Sequence, residues 1–348
     1  MKQNLKLSRE EILAFHRSIF VANVHGDYGI EVAKAREQKG KRGQIRDVHV
    51  PRMRDGGVDF EFYTIGGDDI MFTQDKDLTL GSFRSIDHAY QEIYDEVSTG
   101  TLCLTSKDVE QAKDAGKIAF MFTMEGAGPV QEDLSLLRNY YKLGLRSIIL
   151  TWFKANLVAD GVGEIRNGGL SEFGKQLIEE MDHLGMIIDI TQSAPASIED
   201  VFDISRKPII ASHSNAAGYY PHRRNLTDKQ IKALASSGGL IGVTCYPAHV
   251  SEKPSLEEFF NHIDYCVNLG GIETVGIGLN IVVHSQEDAV DFYERSNIEY
   301  SDMSLPQLEN LEKFAVITEG LFARGYSEDH IKKIMGGNLL RVMREVID

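Results

Sequence analysis

Ile118-Ala119-Phe120-Met121-Phe122-Thr123-Met124-Glu125-Gly126 opens a stretch that continues through an amphipathic segment at 131–142 and Gly144 to Arg146-Ser147-Ile148-Ile149-Leu150-Thr151. Both apolar runs have strand length and are continuous rather than alternating, the pattern of parallel strands covered on both faces. The segment between them carries helical periodicity, and Gly144 sits where a helix should stop before the next strand. The unit is therefore strand, helix, parallel strand.

The same unit recurs outward in both directions. Further short apolar runs lie at 21–24, 58–64, 186–190, 208–212, 240–244 and 274–278, which makes eight with 118–123 and 146–151. Amphipathic stretches at 84–98, 171–184, 195–204, 227–237, 255–269 and 304–324 separate or follow them. Ser106, Thr227 and Ser327 read as helix caps, and Gly185, Gly238 and Gly270 as helix stops. Eight runs in such alternation predict an α/β fold, a closed (β/α)8 TIM barrel, over a doubly wound sheet. No Gly-x-Gly-x-x-Gly follows the first run, which argues against dinucleotide binding. Residues 31–57, rich in Lys, Arg, Gln and Gly, read as a long loop or flap, and 280–303 as a second irregular segment. Nothing resembles a linker, so one domain over 1–348 is expected.

The chain has 348 residues, 42% hydrophobic and 26% charged, enough to bury a large core. A formal net charge of −15 repels phosphate backbones and anionic lipid surfaces, so neither nucleic acid nor membrane is an expected partner. Cys103, Cys245 and Cys266 are far apart and predict buried free thiols rather than a disulfide framework or zinc ribbon. The residues after Met1 lack the apolar centre of a signal peptide, and no run reaches membrane-spanning length, so a cytoplasmic protein is expected.

In a barrel of this kind chemistry gathers where the strands end. The first run ends in His25-Gly26-Asp27, and residues two apart on an extended segment face the same side. Imidazole and carboxylate together suit zinc or a similar metal. Glu125 directly follows an apolar run, where a carboxylate is costly to bury without a partner. His213 follows the sixth run. A single such histidine is most often a hydrogen-bonded core residue, but a barrel closes all three strand ends onto one point, which makes metal binding the expectation.

The order and spacing of several motifs resemble the membrane dipeptidase (renal dipeptidase) family of zinc peptidases across nearly the whole chain. They are His25-x-Asp27, Gly56-Gly57-Val58, Glu125-Gly126, Ser212-His213-Ser214-Asn215, His222-Arg223-Arg224-Asn225-Leu226 and Gly336-Gly337-Asn338. The resemblance implies a barrel of the metal-dependent hydrolase type and a two-zinc centre. His25 and Asp27 would hold the first ion, Glu125 would bridge, and His213 would lie on the second. Arg224 matches the arginine that grips the substrate carboxylate, a role suited to a planar guanidinium. Trp152 and Tyr246, beyond the fourth and seventh runs, stand as further substrate-binding candidates. The resemblance also implies a small-molecule substrate with a free carboxylate, and a homodimer.

Two departures alter that expectation. Gln192, in Asp189-Ile190-Thr191-Gln192, stands where the family has a second histidine, and an amide oxygen is a weak ligand beside imidazole. One zinc is therefore expected to be firmly held, with the second loose, replaced by another divalent metal, or absent. Asn280 stands where the family has the aspartate that handles the proton in amide cleavage. Such general acid–base help is worth about 10²–10⁴ in rate, so Asn280 would orient rather than protonate. His284, just beyond, reads as a solvated histidine or a substitute ligand. Three readings stay open: a weakened or altered dipeptidase-like metallohydrolase; a mononuclear metal enzyme (lyase, isomerase or oxidative) on an amino-acid-derived metabolite; and a non-catalytic binding homologue.

Overall fold

A computed structural model describes residues 7–68, 77–95, 99–281 and 304–348. Nine strands follow one another along the chain: β1 (Ala22–Gly26), β2 (Phe60–Gly67), β3 (Gly100–Leu102), β4 (Ile118–Glu125), β5 (Leu145–Ile149), β6 (Ile187–Asp189), β7 (Ile210–Ser214), β8 (Leu240–Val243) and β9 (Val275–Ile277). All pair in parallel, in the order β1-β2-β4-β5-β6-β7-β8-β9, and a bridge between Gly26 and Ile281 returns the chain beyond β9 to β1. The expected (β/α)8 barrel is thus formed. β3 is the addition: it pairs with the start of β4 off the ring, and three residues are too few to show periodicity.

Ala22, Phe60, Ala119, Ile187, Ile210 and Leu240 lie at strand starts around the ring and pack into one cluster with Leu339, Val342, Met343 and Val346. The last four belong to the final helix, Asn338–Val346, which plugs the N-terminal end of the barrel. The opposite end is left for the side chains on which the strands finish.

The helices largely follow the periodicity. Thr227 and Gln230 cap the helix Asp228–Ser236 reciprocally, and Ser327 accepts from the His330 N–H. At the helix Ser106–Asp114 the cap is Thr105 instead; the Ser106 backbone N–H and hydroxyl both donate to the Asp348 carboxylate.

The larger correction concerns residues 31–57, which form no flap. They fold as the helix Tyr28–Lys39, a π turn Ile45–His49 and the helix Val50–Asp55. Val32, Ala33, Ile45, Val50 and Met53 are buried beneath the charged residues that masked them. Arg36 pairs with Glu92 at 2.6 Å, and that carboxylate also accepts from the backbone N–H groups of Gly43 and Ile45. The basic composition therefore fastens this segment to the barrel.

All three cysteines are free and buried. No helix among the described residues is long and apolar enough to cross a membrane. Most of the 280–303 segment, His284 included, lies outside the described residues.

Candidate metal centre

β1, β4 and β7 deliver His25, Glu125 and His213 to one buried point, where their donor atoms lie within 4.8 Å of one another. Each imidazole brings Nε2 to 3.8 Å from a different oxygen of Glu125, His25 to Oε2 and His213 to Oε1. The two rings lie against each other at a tilt of 34°, with centroids 3.9 Å apart. Among the described residues His25 Nδ1 has no hydrogen-bond partner, and Nε2 faces only the carboxylates of Asp27 and Glu125. Nε2 thus stands among carboxylate oxygens, the setting a cation at the centre would complete. Two imidazoles and a carboxylate form a donor set that suits a divalent first-row metal.

His213 is oriented from behind. Its Nδ1 lies 3.0 Å from the Ser212 hydroxyl. Asp189 Oδ1 in turn accepts from the Ser212 N–H at 3.1 Å, the Thr191 N–H at 2.9 Å and the Thr191 hydroxyl at 2.6 Å. With Nδ1 engaged there, Nε2 is the nitrogen presented to the centre.

Glu125 ends β4 against backbone on both sides. A Cβ on Gly67 would sit 1.7 Å from the Glu125 carbonyl oxygen, so only glycine lets β2 and β4 approach this closely. The Asp68 N–H donates to the same oxygen at 3.0 Å. The Asp68 carboxylate accepts from the N–H groups of Gly128 and Trp152 and from the Asn156 amide, which ties three loops together beneath the glutamate. Sequence reasoning passed over Asp68; its signal was Gly66-Gly67-Asp68 directly after an apolar run.

Asp27 differs in placement from the extended His25-x-Asp27 pair. β1 stops at Gly26, and Asp27 is the residue before the helix Tyr28–Lys39, with φ −95° and ψ 27°. Its Oδ1 nevertheless lies 3.3 Å from His25 Nε2, because the turn swings the carboxylate back toward the imidazole.

Gln192 occupies the remaining side of the centre. Its amide nitrogen donates to Glu125 Oε1 at 2.5 Å and lies 3.3 Å from His213 Nε2. The residue is held at φ 67°, a left-handed backbone that costs on the order of 1–3 kcal/mol outside glycine. Its carbonyl accepts from Val162 N–H and the Thr151 hydroxyl, which fixes the turn.

The electrostatics are those of a cavity shaped around positive charge. Burial works against a charged His25, but the Asp27 and Glu125 carboxylates outweigh it and hold the imidazole up at about 9. Burial, reinforced by Asp27, pushes the Glu125 carboxyl upward. Burial drives His213 well below the ordinary imidazole range, with the charges of His25 and Arg224 adding to it.

The other candidates lie in segments that follow the strands. Arg224 is 7% exposed, its Nη1 has no hydrogen-bond partner among the described residues, and its charge acts on Glu125. Tyr246 leads out of β8, its ring 4.7 Å from that of His249. Trp152 follows β5 and is half-buried. Asn280, at φ 52°, precedes Ile281, whose bridge to Gly26 sets it beside the end of β1.

Against known proteins, the model of the membrane dipeptidase family, Peptidase family M19, matches residues 9–292 and 298–348. Dipeptidase verJ of Clonostachys rogersoniana is 32% identical over 70% of this chain and 60% of its own length. Dipeptidase 3 of Mus musculus is 27% identical over 97% of this chain and 66% of its own length. The chain thus spans roughly 60–66% of those relatives. Among solved structures, an amidohydrolase from Pseudomonas aeruginosa superimposes with a TM-score of 0.82 at 22% identity, covering 97% of this chain and 99% of that one. A metallopeptidase from Rhodobacter sphaeroides, liganded with a phosphinate mimic of the dipeptide L-Ala-D-Ala, gives 0.80 at 21% identity, covering 94% and 99%. These last two likenesses bear on the fold.

Proposed function

The chain belongs to the membrane dipeptidase family, Peptidase family M19, and on that premise we propose that it is a metal-dependent hydrolase of dipeptides or related small amides bearing a free carboxylate. The observation that carries this reading is the buried convergence of His25, Glu125 and His213, with the Asp27 carboxylate beside His25 Nε2. His25, Asp27, Glu125 and His213 would hold one divalent ion, with zinc the choice for this nitrogen and oxygen set. Such an ion, when bound, polarises a carbonyl oxygen and lowers the pKa of water. The chain's own residues do the rest. Asp189, Thr191 and Ser212 fix the His213 ring, and Asp68 with Gly67 fixes Glu125. Arg224 binds the substrate carboxylate, Trp152 and Tyr246 flank the substrate, and Asn280 orients it without exchanging a proton.

Gln192 makes this a one-ion centre. Its N–H donates to Glu125 Oε1, so a neutral amide satisfies the oxygen that a second cation would otherwise share. Turning the amide over offers its oxygen instead, a weak ligand for a loosely held second ion. Gln192 and Asn280 together favour the second reading, a mononuclear enzyme whose step on an amino-acid-derived metabolite needs no acid at position 280. A cytoplasmic homodimer that binds neither nucleic acid nor membrane remains part of the proposal.

The test is a panel of L,L- and L,D-dipeptides given to zinc-loaded protein. Turnover that stops on chelation and returns with zinc is expected. No turnover with the ion bound rejects hydrolysis, and a single redox-active ion in freshly purified protein selects the second reading.

A further inference from the structure

A second partnerless polar atom lies close to Arg224. His249, in the short helix Pro247–Val250 beyond β8, is 8% exposed, and its Nδ1 has no hydrogen-bond partner among the described residues. Its position relative to Arg224 is fixed three ways. The Asn225 amide donates to the His249 carbonyl at 2.9 Å, and Asn215 donates to it at 3.2 Å. The rings of His222 and His249 lie 4.8 Å apart, and His222 Nδ1 accepts from the Arg224 N–H at 3.2 Å. The Tyr246 ring packs against that of His249 as well, with centroids 4.7 Å apart.

An imidazole held this rigidly, with an unsatisfied nitrogen, invites a ligand. So does a buried guanidinium with an unsatisfied Nη1. The nearby charge on Arg224 selects what fills the space: a cation would be repelled, and an apolar group would leave both polar atoms unpaired. An anionic oxygen pair satisfies both.

Resting on the reading of Arg224 as the carboxylate anchor, we infer that His249 is a second binding residue for the substrate carboxylate, donating Nδ1–H to one oxygen while Arg224 holds the other. His222 and Tyr246, whose rings both pack against His249, are positioning residues. Two such donors suit a planar, two-oxygen group, so removing His249 should weaken discrimination between a carboxylate and its amide.

The test uses the zinc-loaded full chain with L-Ala-L-Ala and its C-terminal amide as probes, in wild type, His249→Ala, His249→Gln and Arg224→Ala. The Michaelis constant is read, or the dissociation constant by calorimetry where turnover is slow; thermal unfolding confirms that each variant is folded. Loss of a hydrogen bond to a charged group corresponds to about ten- to a hundredfold in affinity. His249→Ala is expected to weaken the acid by that factor while the amide moves less than twofold, with partial recovery in His249→Gln, whose side chain keeps an N–H donor. If Arg224→Ala weakens the acid and both folded His249 variants bind it like wild type, the inference about His249 is overturned and the anchor stands. If Arg224→Ala also leaves the difference between acid and amide intact, the anchor reading falls with it.

Discussion

Replacing Gln192 with histidine should convert the one-ion centre into a two-ion one. His213 Nε2 and Glu125 Oε1 are 3.8 Å apart on the side that Gln192 fills. Two ligands about 2.0–2.1 Å from a tetrahedral ion stand about 3.3–3.4 Å from each other, so the pair needs to close by only a few tenths of an ångström. Histidine is also among the residues enriched at left-handed backbone positions, so φ 67° is no obstacle to the exchange. The substitution removes a charge-assisted hydrogen bond to Glu125, worth about 1.5–3 kcal/mol, and supplies a third strong ligand. Second-shell partners alone alter metal affinity about 10–100-fold, and a first-shell imidazole should exceed that. At free zinc a hundredfold above the new dissociation constant, binding adds about 2.7 kcal/mol of stability. Elemental analysis after dialysis should read about one zinc per chain in wild type and two in Gln192→His, and the variant alone should gain thermal stability when zinc is raised. A folded variant that still holds one ion, with no zinc-dependent stabilisation, would refute the reasoning.

Four further outcomes follow from the same geometry. Asn280→Asp, alone or with Gln192→His, should raise dipeptide turnover by up to about 10²–10⁴; zinc-bound enzyme with no gain would show that position 280 is not the proton-handling site. Because the neighbouring carboxylates hold His25 above its ordinary range and burial raises Glu125, an ion must displace protons from both, so zinc affinity should rise steeply with pH from 6 to 8. A chelator competition isotherm that is flat across that range contradicts this. Glu61 is fully buried, and burial raises its carboxyl well above the ordinary 4.5. Its stabilising contribution is therefore present below pH 4.5 and lost as pH rises toward the folded value, at about 1.4 kcal/mol per pH unit. Glu61→Gln should show a stability advantage over wild type that grows from pH 5 to 7 in denaturant titrations, and a constant difference would count against it. Gly67→Ala places a methyl 1.7 Å from the Glu125 carbonyl oxygen, so overpacking should cost at least about 1–3 kcal/mol and lower zinc content; an alanine variant with wild-type stability and metal would mean that β2 and β4 separate freely here.

The barrel was legible because its strands are continuously apolar and its helices are not. The segment at 31–57 was misread because Lys, Arg and Gln outnumber the buried Val32, Ala33, Ile45 and Met53, and because the pairing of Arg36 with Glu92 lies 56 residues apart in sequence. β3 escaped because Gly100-Thr101-Leu102 has no period to detect. In the site, the meeting of His25, Glu125 and His213 was readable since a barrel forces strand ends together. The support beneath them was not, because Asp68 holds Gly128, Trp152 and Asn156 through contacts that only the folded loops create. Asp27 was expected on an extended strand, but β1 stops at Gly26 and Asp27 leads directly into the helix that starts at Tyr28. Gln192 was readable as a departure, yet its hydrogen bond to Glu125 depends on a left-handed turn that no side-chain pattern announces.

The most direct measurement is anomalous diffraction at the zinc edge from crystals of the zinc-loaded protein. One dominant peak, about 2.0–2.2 Å from donor atoms of His25, Glu125 and His213, is the predicted result. A peak elsewhere, or none with zinc in excess, would contradict it.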